Sequence, residues 1–237
     1  MTANATDNIK RKLALVTGSS GRIGAACARR PAEQDVHLAL TFSSNEQKII
    51  DLASSLASFT TSRLRISTHR IELSIPDDIE RLLKEVQAEH GTSVDILVSK
   101  ARYGKRIQNT LYLTFHTYAD ISLEEFNRMI SIINLTASFL LANGIFAGME
   151  DQKWERIVFV SSIAAYGTGL NGYYGTDYAA SKAGLIGLMK NLSSRGAEYN
   201  ITVNDVAPAM AGSIEMLPDA SSFPGLTEIA NAVNVFV

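Results

Sequence analysis

Six strand-like stretches, the first five each followed by a helix-like segment, leave this chain few folds to choose from. Lys12-Leu-Ala-Leu-Val16, Val36-His-Leu-Ala-Leu40, Leu64 to Leu73, Val94-Asp-Ile-Leu-Val98, Ile157-Val-Phe-Val160 and Ile201-Thr-Val-Asn-Asp-Val206 read as strands. Between them lie segments with helical spacing, such as Ile79, Leu82, Leu83 and Val86, and then Phe126, Met129, Ile130, Ile133 and Leu140. Strands alternating with helices predict one α/β domain over residues 1–237, a doubly wound parallel sheet of Rossmann type with right-handed crossovers. At 237 residues and 46% apolar content the chain is long enough to bury such a core, and it shows no linker or repeat that would divide it.

Local chemistry refines the elements. Ser44-Asn-Glu-Gln47 and Ser74-Ile-Pro-Asp77 predict caps for the second and third helices, Ser122-Leu-Glu-Glu125 caps a long fourth one, and Gly91 ends the third. Pro31 and Asp35 predict a strained exit from the first helix, since proline lacks a donor and Asp35 stands where a helix-ending glycine would be comfortable. Thr227 to Val235 reads as a last helix.

The net charge of −2 gives no electrostatic reason for a nucleic-acid or anionic-membrane partner. The polar start and the expectation that no apolar run spans a bilayer predict a soluble, cytoplasmic protein. Cys27 is the single cysteine, set among alanines, and reads as a packed residue; the four histidines have no metal-ligand spacing.

Two stretches carry chemistry. The first strand runs into Thr17-Gly18-Ser19-Ser20-Gly21-Arg22-Ile23-Gly24, and a Gly-rich turn opening a helix is a phosphate cradle, with backbone N–H groups and the helix dipole facing the anion. The fifth strand runs into Ser161-Ser162, followed by a helix with Tyr178 and Lys182 one turn apart. An ammonium on the same helix face favours phenolate and draws a tyrosine near ~10 toward the working range. Asn134, inside an apolar stretch, is hydrogen-bonded core or site.

Thr17-Gly18, Asp95-Ile-Leu-Val98, Asn134, Ser162, Tyr178-x-x-x-Lys182 and Val203-Asn-Asp-Val-Ala-Pro208, in this order, resemble the short-chain dehydrogenase/reductase family over nearly the whole chain, most of all its 3-oxoacyl-thioester reductase branch of fungal type. The resemblance implies an NADPH-dependent reductase that turns a ketone into an alcohol. Tyr178 would be its general acid, Lys182 the ribose contact that lowers the tyrosine pKa, Ser162 the carbonyl partner, with Ser161 as a substitute, and Asn134 the holder of a relay water. It places Gly18, Ser20, Arg22, Ile23, Ser43, Ser44, Asn45, Glu72, Leu73, Ala101, Tyr178, Lys182 and Pro208 against the cofactor. No acid precedes Glu46 at the end of the second strand, which favours NADP(H) over NAD, with Ser43, Ser44 and Asn45 as phosphate contacts. Family helices bearing the Asn134 and Tyr178 positions pair between subunits, which implies a homo-oligomer. The partner is a small-molecule carbonyl substrate, with acyl thioester, polyketide-like ketone, steroid and sugar all open.

Departures define the alternative. Arg22 stands where the family has its middle glycine, and Ser99-Lys100-Ala101-Arg102 stands where it has Asn-Asn-Ala-Gly. Residues 109–118 look inserted, and the family's last strand is expected to be missing, which would leave the sixth strand as an edge. These features fit a catalytically impaired pseudoenzyme, or a nucleotide-binding or assembly protein.

Overall fold

The computed structural model describes residues 9–58, 64–100, 122–166 and 176–208. Ala101, Arg102, the segment 109–118, the helix expected at Thr227 and the expected loss of a last strand lie outside the described residues.

Six parallel strands form one sheet in the order β3-β2-β1-β4-β5-β6. They are β1 (Leu13–Val16), β2 (His37–Phe42), β3 (Ile66–Arg70), β4 (Ile96–Ser99), β5 (Glu155–Val160) and β6 (Ile201–Val206). The first three strands step away from β1 in one direction and the last three step away from β4 in the other. β1 and β4 therefore flank a topological switch point, the crevice where open α/β sheets bind ligands at their carboxyl ends.

Helices cover both faces, which explains why the central strands are apolar throughout rather than alternating. Leu13, Leu15, Leu97, Ile157, Phe159 and Val203 face α3 (Pro76–His90), α5 (Leu135–Gln152) and α6 (Thr176–Gly196). Ala14, Val16, Leu38, Leu40, Val98 and Val160 face α1 (Arg22–Glu33) and α2 (Glu46–Ser58). The expected long fourth helix is composite: α4 (Leu123–Asn127) passes through a π-helical stretch, Arg128–Asn134, into α5.

Strain at the end of α1 is where the sequence puts it. Pro31 lies inside the helix, the amides of Gln34 and Val36 both turn back to its carbonyl, and Asp35 takes a left-handed φ of 60°. Gly91 ends α3 in a left-handed conformation, φ 66°, as expected, whereas the N-caps of α2 and α3 differ from those expected. Asn45, not Ser44, caps α2 by accepting the Lys48 N–H at 3.2 Å. Ile75 precedes α3 without a side-chain cap, because Pro76 at the first helical position has no N–H to satisfy and Ser74 donates its hydroxyl to Glu72 instead, at 2.8 Å.

Another expectation needs correction. Arg128–Phe146, 19 residues long, has the length and mean hydropathy of a membrane span, 1.7 in its most apolar 18-residue stretch. Here that apolarity serves the interior: Ala137, Leu141, Ala142, Ile145 and Phe146 are core residues. His37, His69 and His90 are buried, and both His69 and His90 reach Ser67 Oγ through Nε2, at 2.7 and 2.8 Å. A hydroxyl has one proton, so between neutral rings one histidine accepts it and the other donates its N–H.

Candidate active site at the carboxyl end of the sheet

The turn after β1 is pinned from three strands. The Thr17 N–H donates to Val98 O in β4 at 3.0 Å, and Thr17 Oγ1 accepts the Lys100 N–H at 2.9 Å. From β2, Thr41 Oγ1 accepts the Gly18 N–H at 3.1 Å and Thr41 O the Ser19 N–H at 2.9 Å, while Ser19 Oγ donates back to Val16 O at 2.7 Å. Gly18 has φ 63°, a conformation that favours glycine, and a Cβ on Gly24 would lie 2.8 Å from the Gly18 carbonyl carbon and 2.9 Å from Ser19 Cα. The close seat of α1 on this turn thus depends on that missing Cβ.

Gly21 precedes α1 without a side-chain cap, and no acid occupies the first turn. The first-turn amides, including those of Arg22 and Ile23, have no acceptor within an α-helix and carry its positive end. Together with Ser20 they form a cradle for an anion. The residues present fit a dinucleotide's phosphates: the backbone is bare at Gly18, Gly21 and Gly24, and its polar groups are held rigidly.

A second group gathers at the exits of β5 and β6. Lys182 is 4% exposed and its Nζ donates to Val160 O at 3.0 Å, which fixes the ammonium against the last carbonyl of β5. Its Nζ stands 5.8 Å from the centroid of the Tyr178 ring, so the two share one helix face as their spacing requires. Ser162 is buried and its Oγ accepts the Ala164 N–H at 3.2 Å. Ser161 Oγ donates to Asp205 Oδ2 at 2.7 Å, a bond that commits it to β6. Pro208 joins the same end by accepting the Ile163 N–H at 3.2 Å.

Asn134 ends the π-helical stretch and is 2% exposed. Its Nδ2 donates to Ser181 Oγ at 3.0 Å, and Ser181 donates to Tyr178 O at 2.7 Å, tying Asn134 to the helix turn that carries Tyr178. The Asn134 carbonyl accepts the Ser138 hydroxyl at 2.8 Å. Ser138 has only that proton, so Ser99 donates in their 2.9 Å contact, and β4 is linked to the same asparagine. Asn134 Oδ1 is buried without a hydrogen-bond partner among the described residues. Sequence reading missed Thr41, Ser138, Ser181 and Asp205; Ser138, a hydroxyl one turn after Asn134 in an apolar helix, was the available signal.

The remaining expected contacts ring the crevice. Ser43, Ser44 and Asn45 are exposed just beyond β2, with the Asn45 oxygen engaged in its cap, and Arg70 Nε donates to Ser43 O at 3.2 Å. Beyond β3, the Glu72 N–H is held by Asp78 at 3.0 Å and Leu73 packs on the core. Cys27 is half-buried on α1, and burial pushes its thiol pKa up.

A six-stranded doubly wound sheet with a phosphate cradle at its switch point and a buried lysine beside a tyrosine defines a Rossmann-type α/β protein. The chain belongs to the short-chain dehydrogenase family, whose model matches residues 12–222. It is an NAD(P)-dependent oxidoreductase of that family. Among its relatives, the 3-oxoacyl-(acyl-carrier-protein) reductase FabG of Escherichia coli is 34% identical over 95% of this chain and 89% of its own length. The dehydrogenase/reductase SDR family member 4 of Oryctolagus cuniculus is 32% identical over 86% of this chain and 72% of its own length. Among solved structures, an NAD+-bound xylitol dehydrogenase has a TM-score of 0.74 at 25% identity, covering 88% of this chain and 74% of that one. A levodione reductase shares the fold, with a TM-score of 0.74 at 20% identity over 86% of this chain and 73% of that one.

Proposed function

We propose that this oxidoreductase reduces a ketone to an alcohol with NADPH, with Tyr178 as the general acid. The observation that carries the reading is the Lys182 ammonium, buried, fixed on Val160 O and one helical turn from Tyr178. A cation held there favours the phenolate, which makes the tyrosine a usable proton donor near neutral pH. NADPH would supply the hydride to the carbonyl carbon. Tyr178 Oη gives its proton to the carbonyl oxygen, Ser162 hydrogen-bonds that oxygen, and Asn134 offers its buried Oδ1 to a water that returns the proton. The cradle of Gly18, Ser20, Arg22 and Ile23 holds the phosphates; Glu72, Leu73, Ala101 and Pro208 complete the contacts.

The preference for NADPH over NADH rests on the β2 exit. Ser43, Ser44 and Asn45 leave it without a carboxylate to repel a 2′-phosphate, and Arg70 stands beside them on Ser43 O. FabG, a reductase by name, is the relative that supports the ketone as substrate class. The protein also self-associates in this reading, through α5, where Phe139 is 47% exposed. Titration with NADPH and NADH, followed by nicotinamide fluorescence, together with a panel of 3-oxoacyl thioesters and simple ketones, tests the proposal. NADPH should bind more tightly and be consumed with at least one ketone. Failure of a folded sample to bind either nucleotide would favour the impaired-enzyme reading, for which Arg22 and Lys100 at the cradle are the specific observations.

A further inference from the structure

Lys100 takes a place that the family gives to an asparagine, and its backbone N–H is held by Thr17 Oγ1 at 2.9 Å, so the residue is anchored directly over the β1 turn. Its Nζ lies 3.1 Å from where a Cβ on Gly21 would be. Gly21 is the residue before the first turn of α1, and Arg22 is the first residue of that turn. A lysine ammonium and the positive end of a helix dipole thus meet at one turn whose helix start contains no acidic residue. An anion placed between them is favoured by both.

We propose that Lys100 binds the pyrophosphate of the dinucleotide from the β4 side of the cradle, opposite the α1 amides, so that the bare backbone at Gly21 is the space through which its ammonium reaches the phosphate. The inference rests on the dinucleotide reading of this site. It gives the altered position after β4 a function: a cation stands where the family has an asparagine, and nucleotide affinity becomes more sensitive to salt.

The test is NADPH binding by fluorescence and calorimetry to the wild type, Lys100→Ala and Lys100→Arg, each at low and high salt, with ADP and adenosine as further probes and thermal melts to verify folding. Loss of one charge-assisted contact should weaken NADPH and ADP about tenfold or more in Lys100→Ala and flatten the salt dependence, while adenosine, which has no phosphate, binds the variant as it binds the wild type. Lys100→Arg should keep most of the affinity. Equal binding of NADPH by wild type and Lys100→Ala overturns the role of Lys100 and leaves the dinucleotide reading standing. Tighter binding by Lys100→Ala also overturns it and makes the lysine an obstruction of the cradle. A folded wild type that binds neither NADPH nor ADP overturns both readings together.

Discussion

Replacing Glu155 by glutamine should change how the stability of this protein depends on pH. Glu155 opens β5 with no exposed surface, and neither carboxylate oxygen has a hydrogen-bond partner among the described residues. Its neighbour across the sheet is Asp95, which is buried and accepts the Lys12 ammonium at 2.8 Å and the Leu13 N–H at 2.7 Å. Burial first, and then the Asp95 charge, push the Glu155 pKa up to about 8. The folded chain therefore keeps a proton that the unfolded chain releases near pH ~4.5. The stabilising effect is complete below that pH and is lost as pH rises through about 8. A difference of roughly 3.5 units at 1.36 kcal/mol per unit gives at most ~5 kcal/mol, of which about 3 kcal/mol falls between pH 5 and 8. Glutamine cannot ionise, so any cost of its buried amide is a constant offset. Urea unfolding of both proteins from pH 5 to pH 8 should show Glu155→Gln gaining on the wild type by up to that amount. Parallel curves would refute the reasoning.

Gly24→Ala should destabilise the protein by about 1–3 kcal/mol in urea unfolding and weaken nucleotide binding more than tenfold, because the added carbon meets the Gly18 carbonyl and Ser19 Cα and has only backbone to displace. His90, whose pKa burial lowers to about 4, works in the opposite direction to Glu155: its stabilising effect is present above pH ~6.5 and drains as pH falls through about 4, so His90→Gln should flatten the acid limb of the stability profile. Ser138→Ala should cost about 1–3 kcal/mol by thermal melting, since it strips the partner from a buried Asn134 carbonyl and from Ser99.

The fold was legible because its signal is redundant: β1, β2, β4 and β5 centre on apolar runs, β3 and β6 alternate, and helical spacing separates them. The cradle and the Tyr178–Lys182 pair were legible because they are local, with residues a few positions apart on one turn or one helix. What escaped depends on details that spacing does not encode. Asn45 was passed over for Ser44 because capping follows backbone conformation, which differs between adjacent residues of similar chemistry. The π-helical stretch before Asn134 has no periodic signature of its own in seven residues. Lys100 reads only as a departure from the family's Asn-Asn-Ala-Gly until the Thr17 bond, across 83 positions, places it over the β1 turn beside Gly21. The Asp205 contact with Ser161 likewise exists only once β5 and β6 are neighbours.

The central claim, that Tyr178 gives the proton in a nicotinamide-dependent reduction, is tested most directly by comparing wild type and Tyr178→Phe in two assays on the same folded samples. Phenylalanine removes one hydroxyl and leaves the ring beside Lys182. The account predicts NADPH binding within a few-fold of wild type and ketone turnover reduced by a factor of about 100 or more, the scale of a lost general acid. Equal turnover by the two proteins would contradict it.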